Sequence, residues 1–179
     1  MSSSLRIACA IFSLLIVPTA ALAERIAVIG TGSVGSALGP EFAAQGHDIV
    51  YGSREPSRDG VQALVARTSG NASATTADNA VIDADIIVLA VPGRLAAQIA
   101  ADLGDLSGKI IIDPTNHYER NADGIPVMLT LPSNAQAIQA AAPGSMVVKA
   151  FNTLNWQQMV DPDSSGGPVS IPLVGDSAV

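Results

Sequence analysis

Residues 25–35 have the sequence RIAVIGTGSVG, a short apolar run that leads directly into three glycines spaced G-x-G-x-x-G. The run predicts a buried strand, and an amphipathic helix is expected to follow over residues 33–45. At such a turn Gly30 makes the tight bend, Gly32 lets a pyrophosphate approach the backbone, and Gly35 allows close helix packing. The stretch therefore predicts a dinucleotide-binding turn. Its expected cofactor-binding residues are Gly30, Thr31, Gly32, Ser33, Val34 and Gly35.

The remaining sequence alternates short, almost continuously apolar runs with helical patterns. Strands are predicted at 25–29, 48–51, 86–90, 110–112, 146–150 and 170–174. Further helices are predicted near 60–68, 93–103 and 133–142, with a brief strand and one helical turn within 71–82. This alternation predicts an α/β fold, a Rossmann-like doubly wound and mostly parallel sheet with helices on both faces. The long connection from Asp113 to Leu131 is expected to be a functional loop.

The end of the second predicted strand indicates which dinucleotide is bound. Domains that bind NAD usually end this strand with a carboxylate for the ribose 2′-hydroxyl, but here the strand ends in Tyr51-Gly52-Ser53-Arg54. A hydroxyl at Ser53 and cations at Arg54 and Arg58 suit a 2′-phosphate, which arginine can bind through two parallel hydrogen bonds. The expected cofactor is NADP(H). The alternative, that both arginines are ordinary solvated residues, stays open.

Other candidate residues follow the later strands, whose carboxyl ends share one edge of the sheet. Ligands of open α/β sheets bind outside that edge, so these residues are expected on the nicotinamide side of the cofactor. They are Val91 and Pro92, then Asn116 within Asp113–Asn116, then Ala150 and Asn152 within Lys149–Asn152. Two alternatives stay open: Asp113 as a turn residue and Asn152 as a helix cap.

Composition excludes several other classes of protein. The chain of 179 residues is 48% apolar and 14% charged, which is typical of a folded domain and not of a disordered segment. A net charge of −7 with scattered basic residues argues against nucleic-acid binding. One cysteine, Cys9, leaves no disulfide framework, and two histidines, His47 and His117, make a poor set of metal ligands. His117 lies in the long loop and is a candidate substrate contact.

The first 23 residues predict a secretory signal peptide. Arg6 precedes an apolar run over 7–17, which is too short to span a membrane and is followed by Ala21-Leu22-Ala23. Cleavage after Ala23 would leave a dinucleotide-binding domain over 24–179, without a membrane anchor, in the periplasm or outside the cell. The alternatives are an uncleaved anchor, or a misassigned start and a cytoplasmic protein.

Taken together, these motifs resemble the NADPH-dependent oxidoreductases of the deazaflavin coenzyme F420. They also resemble the cytoplasmic NADPH-binding domain of the six-transmembrane ferric reductases. The resemblance spans Arg25 to Asp176 and is carried by the glycine turn, by GSR at 52–54, AVP at 90–92, VKAFN at 148–152 and VGD at 174–176. It implies that residues 31–34, the pair Ser53 and Arg54, and the basic residue Arg58 hold NADP.

Two features depart from that family. This sequence ends shortly after the VGD motif, whereas the family continues through another helix and a C-terminal segment, so part of the substrate wall is expected to be missing. The second departure is the signal peptide, because the deazaflavin enzymes are typically cytoplasmic.

The resulting expectation is an NADP-dependent oxidoreductase that transfers hydride to or from a small-molecule partner, either coenzyme F420 or a flavin. Such a transfer requires no protein acid or base, so no catalytic residue is assigned. The alternative from another class is a module that binds NADP without turnover. A hydroxyacid-type dehydrogenase would need an additional helical domain, for which the chain is too short. The identity of the acceptor, the direction of the reaction and assembly into a homodimer are left open.

Overall fold

In the computed structural model, residues 23–116, 118–128 and 132–176 are described. Six of their strands form one sheet, and two more form a separate hairpin. The strands are β1 Arg25–Ile29, β2 Asp48–Gly52, β3 Ala72–Thr75, β4 Ile86–Leu89, β5 Ile110–Asp113, β6 Tyr118–Arg120, β7 Pro126–Met128 and β8 Met146–Lys149. The α-helices are α1 Ser33–Ala44, α2 Asp59–Arg67, α3 Ala77–Ala80, α4 Ala96–Asp102, α5 Asn134–Ala141 and α6 Trp156–Val160, with 3-10 turns at Gly93–Leu95 and Pro162–Ser165.

The order of the strands places a crevice at the middle of the sheet. All neighbours in the order β3-β2-β1-β4-β5-β8 pair in parallel, and the order reverses direction between β1 and β4. Ile29, the last residue of β1, pairs with Gly52 of β2 and Leu89 of β4, so the three strands end level with one another. Ligands of doubly wound sheets bind at such a switch point, outside the carboxyl ends of the strands.

Helices cover both faces of this sheet. Ile26 and Val28 belong to one hydrophobic cluster, which includes buried residues of α1 and α2. Ala27 and Ile29, the alternate residues of the same strand, belong to a second cluster, with buried residues of α3, α4 and α5. Because successive side chains of a strand point to opposite faces, the two clusters are the two sides of one sheet. The predicted fold class is therefore confirmed.

The strand predicted at 170–174 is wrong. Only Val174 pairs with the sheet, through an isolated antiparallel bridge to Lys149, and residues 170–173 are not in a strand. Pro172 lies in the middle of the predicted run, and proline has no backbone N–H to donate to a ladder. Residues 170–174 thus pair with β8 at one position instead of as a full strand.

Two other segments differ from the prediction in detail. The helix predicted at 93–103 begins as a 3-10 turn and becomes α-helical only at Ala96. The connection from 113 to 131 contains the antiparallel hairpin of β6 and β7, which was predicted only as a loop. The side-chain oxygen of Asn121 organises its turn by accepting from the N–H groups of Asp123 and Ile125.

The predicted signal peptide lies outside the described residues, apart from Ala23 at its end. Within the part of the chain that is described, no helix has both the length and the apolar character needed to cross a membrane.

Candidate functional site

A cleft of about 1140 Å³ opens where β1, β2 and β4 end. The turn after β1 forms its floor, the turn after β2 forms one wall, and the segment that begins α4 forms the other. Eight of the fourteen predicted cofactor-binding residues line it, namely Gly30, Thr31, Gly32, Ser53, Arg54, Arg58, Val91 and Pro92. The glycines of the turn after β1 and the predicted phosphate-binding residues after β2 therefore face the same space.

Each glycine of the turn is favoured at its position for a separate steric reason. Gly30 has φ +100°, and a Cβ there would collide with the carbonyl oxygen of Ala90. A Cβ on Gly35 would collide with the carbonyl oxygen of Gly30, so this buried glycine lets α1 sit directly on the turn. No atom lies within 4 Å of the Cβ position of Gly32, which leaves open space above the backbone. Gly32 is also the N-cap of α1 and provides no side-chain cap, so the positive end of the helix dipole faces the cleft.

The turn after β2 brings a hydroxyl and two guanidinium groups to one corner of the cleft. The Ser53 N–H donates to the Thr75 carbonyl at 2.9 Å, which fixes the corner to β3. The Ser53 Oγ accepts from the Glu55 N–H at 3.2 Å, so its own hydrogen can still be donated to a ligand. Arg54 and Arg58 are exposed, and neither has an ion-pair partner among the described side chains. We call Ser53, Arg54 and Arg58 the arginine corner.

The cleft as a whole is not strongly positive. Arg94 adds a third cation, but the carboxylates of Glu55, Asp78 and Asp102 line it as well. The Thr76 side chain donates to Asp78, which lowers the pKa of that carboxyl. A preference for an anionic group therefore depends on where the arginines lie and not on the summed charge of the cleft.

The segment that begins α4 adds an apolar stripe to the cleft, and this stripe was not among the predicted site residues. Leu95, Ile99 and Leu103 recur at the i, i+4, i+8 spacing of one helix face, and all three line the cleft. In the sequence such a stripe indicates only a buried helix face. Leu95 is nevertheless 40% exposed, which shows that this face is partly free and offers apolar surface to a ligand.

The residues predicted after β5 and β8 do not line the cleft. We call these two segments, Asp113–Asn116 and Lys149–Asn152, the rim. The Asn116 Nδ2 donates to the Asn152 carbonyl at 2.8 Å, and the Asn152 Nδ2 lies 3.3 Å from Asn116 Oδ1. The two amides are therefore engaged mainly with each other. A Cβ on Gly93, the residue after Pro92, would collide with the Asn116 carbonyl, so the rim directly adjoins the cleft wall.

Phe151 gives the rim its shape. It has φ +64°, the only positive φ of a non-glycine residue among the described residues, and this conformation costs about 1–2 kcal/mol. Its ring packs edge-on against Phe42 of α1, with ring centroids 6.3 Å apart. This packing holds the strained turn that brings Asn152 back toward Asn116.

The other predicted residues are not among those that line the cleft. Ser33 is the exposed first residue of α1, and Val34 packs against the cluster on the α1 face. Ala150 is buried, and its N–H donates to the Asp113 carbonyl at 3.2 Å. His117 lies outside the described residues.

With the geometry established, comparison with known proteins identifies the family. Residues 25–117 match the family described as NADP oxidoreductase, coenzyme F420-dependent. The chain belongs to this family. The matched range contains the glycine turn, the arginine corner and the strands up to β5.

Three relatives illustrate the match. The rat metalloreductase STEAP3 is 27% identical over 150 residues, which cover 83% of this chain and 29% of that protein. The F420-dependent NADP reductase of Methanothermobacter thermautotrophicus is 28% identical over 149 residues, 76% of this chain and 64% of the relative. The solved structure of a proposed F420-dependent NADP reductase from Arthrobacter sp. FB24 has a TM-score of 0.76 at 28% identity, covering 87% of this chain and 74% of its own. The chain thus spans less than two thirds of the length of STEAP3 and of the Methanothermobacter reductase.

Proposed function

We propose that this chain binds NADP(H) in the cleft and transfers hydride between it and a deazaflavin or flavin acceptor. The observation that carries the proposal is the arginine corner, where Ser53, Arg54 and Arg58 face the same cleft as the glycine turn. Membership of the NADP oxidoreductase family supports it, as does the name of the Methanothermobacter relative.

The residues of the cleft fit each part of this cofactor. Gly32 and the uncapped start of α1 suit a pyrophosphate, because the helix dipole and free N–H groups favour negative charge there. Arg54 and Arg58 suit the 2′-phosphate, since each guanidinium can donate two parallel hydrogen bonds to it. The apolar stripe that begins at Leu95 suits the face of an adenine ring.

Bound NADPH would supply a hydride from C4 of its nicotinamide, and the acceptor would be the group that takes it up. No side chain then needs to transfer a proton in the hydride step, so the task of the chain is to hold the two partners in line. Val91 and Pro92 lie at the end of β4 on the cleft wall, where they would limit how far the nicotinamide can move. The rim would border the space that an acceptor enters.

One observation favours a second candidate function, an NADP-binding module without turnover. Asn116 and Asn152, predicted on the nicotinamide side, bond to each other and do not line the cleft. A domain of this kind would retain the glycine turn and the arginine corner while lacking a formed acceptor site.

We also propose that the protein is exported, and this part of the proposal rests on the sequence alone. The pattern of residues 1–23 supports export, with a domain over 24–179 that acts in the periplasm or outside the cell. There the acceptor would be a small molecule available in that compartment.

Two measurements on the purified chain separate the candidates. Calorimetric titration with NADPH and NADH tests the cleft, and we expect tighter binding of NADPH. Stopped-flow mixing of the NADPH-bound chain with oxidised F420 or a flavin then tests turnover through the loss of nicotinamide absorbance. Binding followed by oxidation supports the enzyme, whereas binding without oxidation by either acceptor supports the module. No NADPH binding refutes both.

A further inference from the structure

A buried ion pair joins the ends of β5 and β8. The Lys149 Nζ donates to Asp113 Oδ2 at 2.8 Å, and it also donates to the Thr115 carbonyl. The Asp113 side chain is fully buried and the Lys149 side chain is 20% exposed. This is the one salt bridge among the side chains that the structure describes. Because desolvation offsets most of the attraction in such a pair, replacing both residues by apolar ones is often neutral or stabilising. Stability alone therefore does not explain the pair.

The ion pair is the centre of a network of hydrogen bonds. Asp113 Oδ1 accepts from the Thr115 N–H at 2.8 Å and from the Thr115 hydroxyl at 2.6 Å. The Thr115 hydroxyl oxygen in turn accepts from Asn134 Nδ2 at 2.6 Å, and Asn134 is the first residue of α5. Three separate segments, the ends of β5 and β8 and the start of α5, are thus fixed to one carboxylate. Buried hydrogen-bond networks of this kind make their surroundings more rigid.

This network ends at the cleft. Thr115 directly precedes Asn116, whose side chain holds the Asn152 carbonyl and whose own carbonyl packs on Gly93. The Asn134 amide packs on Gly93 as well, since its Nδ2 would lie 2.6 Å from a Cβ placed there. Gly93 follows Pro92, which lines the cleft. The position of the rim against the cleft wall therefore depends on the ion pair.

We propose that Lys149 is a positioning residue for hydride transfer. Its ammonium group draws the Asp113 carboxylate and the Thr115 carbonyl together, and so sets the rim beside the place where nicotinamide and acceptor meet. The proposal rests on the proposed function, because it concerns the geometry of that transfer. Lys149 is separate from the glycine turn and the arginine corner, so its loss should affect the alignment of the reacting groups more than the binding of the cofactor.

The chain contains a matched control for Lys149. The Lys109 Nζ also donates to two backbone carbonyls, those of Ile82 and Ala84, at 3.0 and 2.8 Å. It lies just before β5, at the amino-terminal ends of the strands, whereas the rim lies at their carboxyl ends. Lys109→Met thus removes the same charge and a similar number of hydrogen bonds, without touching the rim.

The experiment compares the unsubstituted chain with Lys149→Met, Lys149→Arg, Thr115→Val and Lys109→Met. Four quantities are measured for each protein: melting temperature, dissociation constant for NADPH, fluorescence of the bound nicotinamide, and single-turnover rate with F420 or a flavin. For Lys149→Met we expect a dissociation constant within about threefold of the unsubstituted value and a rate lower by roughly 10- to 100-fold, since small misplacements can cost this much. The bound nicotinamide should also emit less strongly, as its ring becomes freer to move. Lys149→Arg should recover part of both losses.

Thr115→Val keeps the ion pair and removes only the hydroxyl bridge, so it tests the same network if Lys149→Met does not fold. It should lower the rate and the emission in the same direction by a smaller factor. The proposal is overturned if Lys109→Met lowers the rate as much as Lys149→Met. It is also overturned if the folded Lys149 and Thr115 variants keep the unsubstituted rate and emission. Failure of the unsubstituted chain to bind NADPH would instead refute the proposed function, and this proposal with it.

Discussion

Replacing Arg54 by alanine should weaken the binding of NADPH and leave the binding of NADH nearly unchanged. Arg54 is exposed at the mouth of the cleft, and no described carboxylate forms a salt bridge with it, so its guanidinium is free to bind a phosphate. Loss of one hydrogen bond to a charged group costs about 1.5–3 kcal/mol, or about 10- to 150-fold in affinity. The exposure of Arg54 places the expected loss near the lower value, about tenfold, because solvent screens the interaction.

The assay is calorimetric titration of each variant with NADPH and with NADH at fixed ionic strength. Arg25→Ala is the control, because it removes the same charge from an exposed side chain at the start of β1. The cleft lies at the other end of that strand. We expect it to bind both cofactors as the unsubstituted chain does. Equal losses for NADPH and NADH in Arg54→Ala would show that Arg54 does not recognise the 2′-phosphate, and a comparable loss in Arg25→Ala would show that only net charge matters.

Three further predictions concern stability and processing. Gly35→Ala places a Cβ against the Gly30 carbonyl and should destabilise the chain by about 1–3 kcal/mol. Gly60→Ala lies inside α2 with open space around its Cβ and should stabilise the chain by about 0.5–1 kcal/mol. Thermal unfolding should therefore show a lower melting temperature for the first variant and a higher one for the second. Burial raises the pKa of Tyr51 above its ordinary value of 10.0, so the protonated phenol is favoured in the folded chain and stability should fall as the pH rises through that raised pKa. Urea unfolding at about pH 8 and about pH 11 should show this fall and a smaller one in Tyr51→Phe, and identical falls would contradict the assignment. N-terminal sequencing of protein from whole cells should find Glu24 as the first residue, and a cytoplasmic protein that still begins near Met1 would exclude export.

The arrangement of the sheet could be predicted because its signals are local. Each central strand is a run of three to five apolar residues, and each predicted helix lies between two such runs, which leaves few parallel topologies. The prediction failed at 170–174, where apolar composition was weighted more heavily than Pro172. The hairpin after β5 was missed because its strands have three residues each, too short for a periodic pattern to be recognised.

The floor and one wall of the cleft could also be predicted, since each lies within a few residues of a strand end. The glycine turn and the arginine corner are such segments, and both line the cleft. The opposite wall could not, because Leu95, Ile99 and Leu103 have the spacing of any packed helix face. Only the tertiary structure shows that this face borders a cleft, and the exposure of Leu95 is the sign of it.

The ion pair at the rim could be predicted only in part, because its residues are recognisable in the sequence but their pairing is not. Asp113 and Lys149 stand at the ends of two apolar runs, in the two segments predicted on the nicotinamide side, but they are 36 residues apart and nothing local joins them. In the sheet, β5 and β8 are parallel neighbours, and the register places Asp113 directly opposite Lys149. Once two strands are assigned as adjacent and parallel, charged residues at their carboxyl ends become neighbours by register alone. Opposite charges at such positions can therefore be proposed as a pair before any coordinates exist. For this chain that step changes the interpretation of both residues, from separate members of two nicotinamide-side segments to one ion pair that supports the rim.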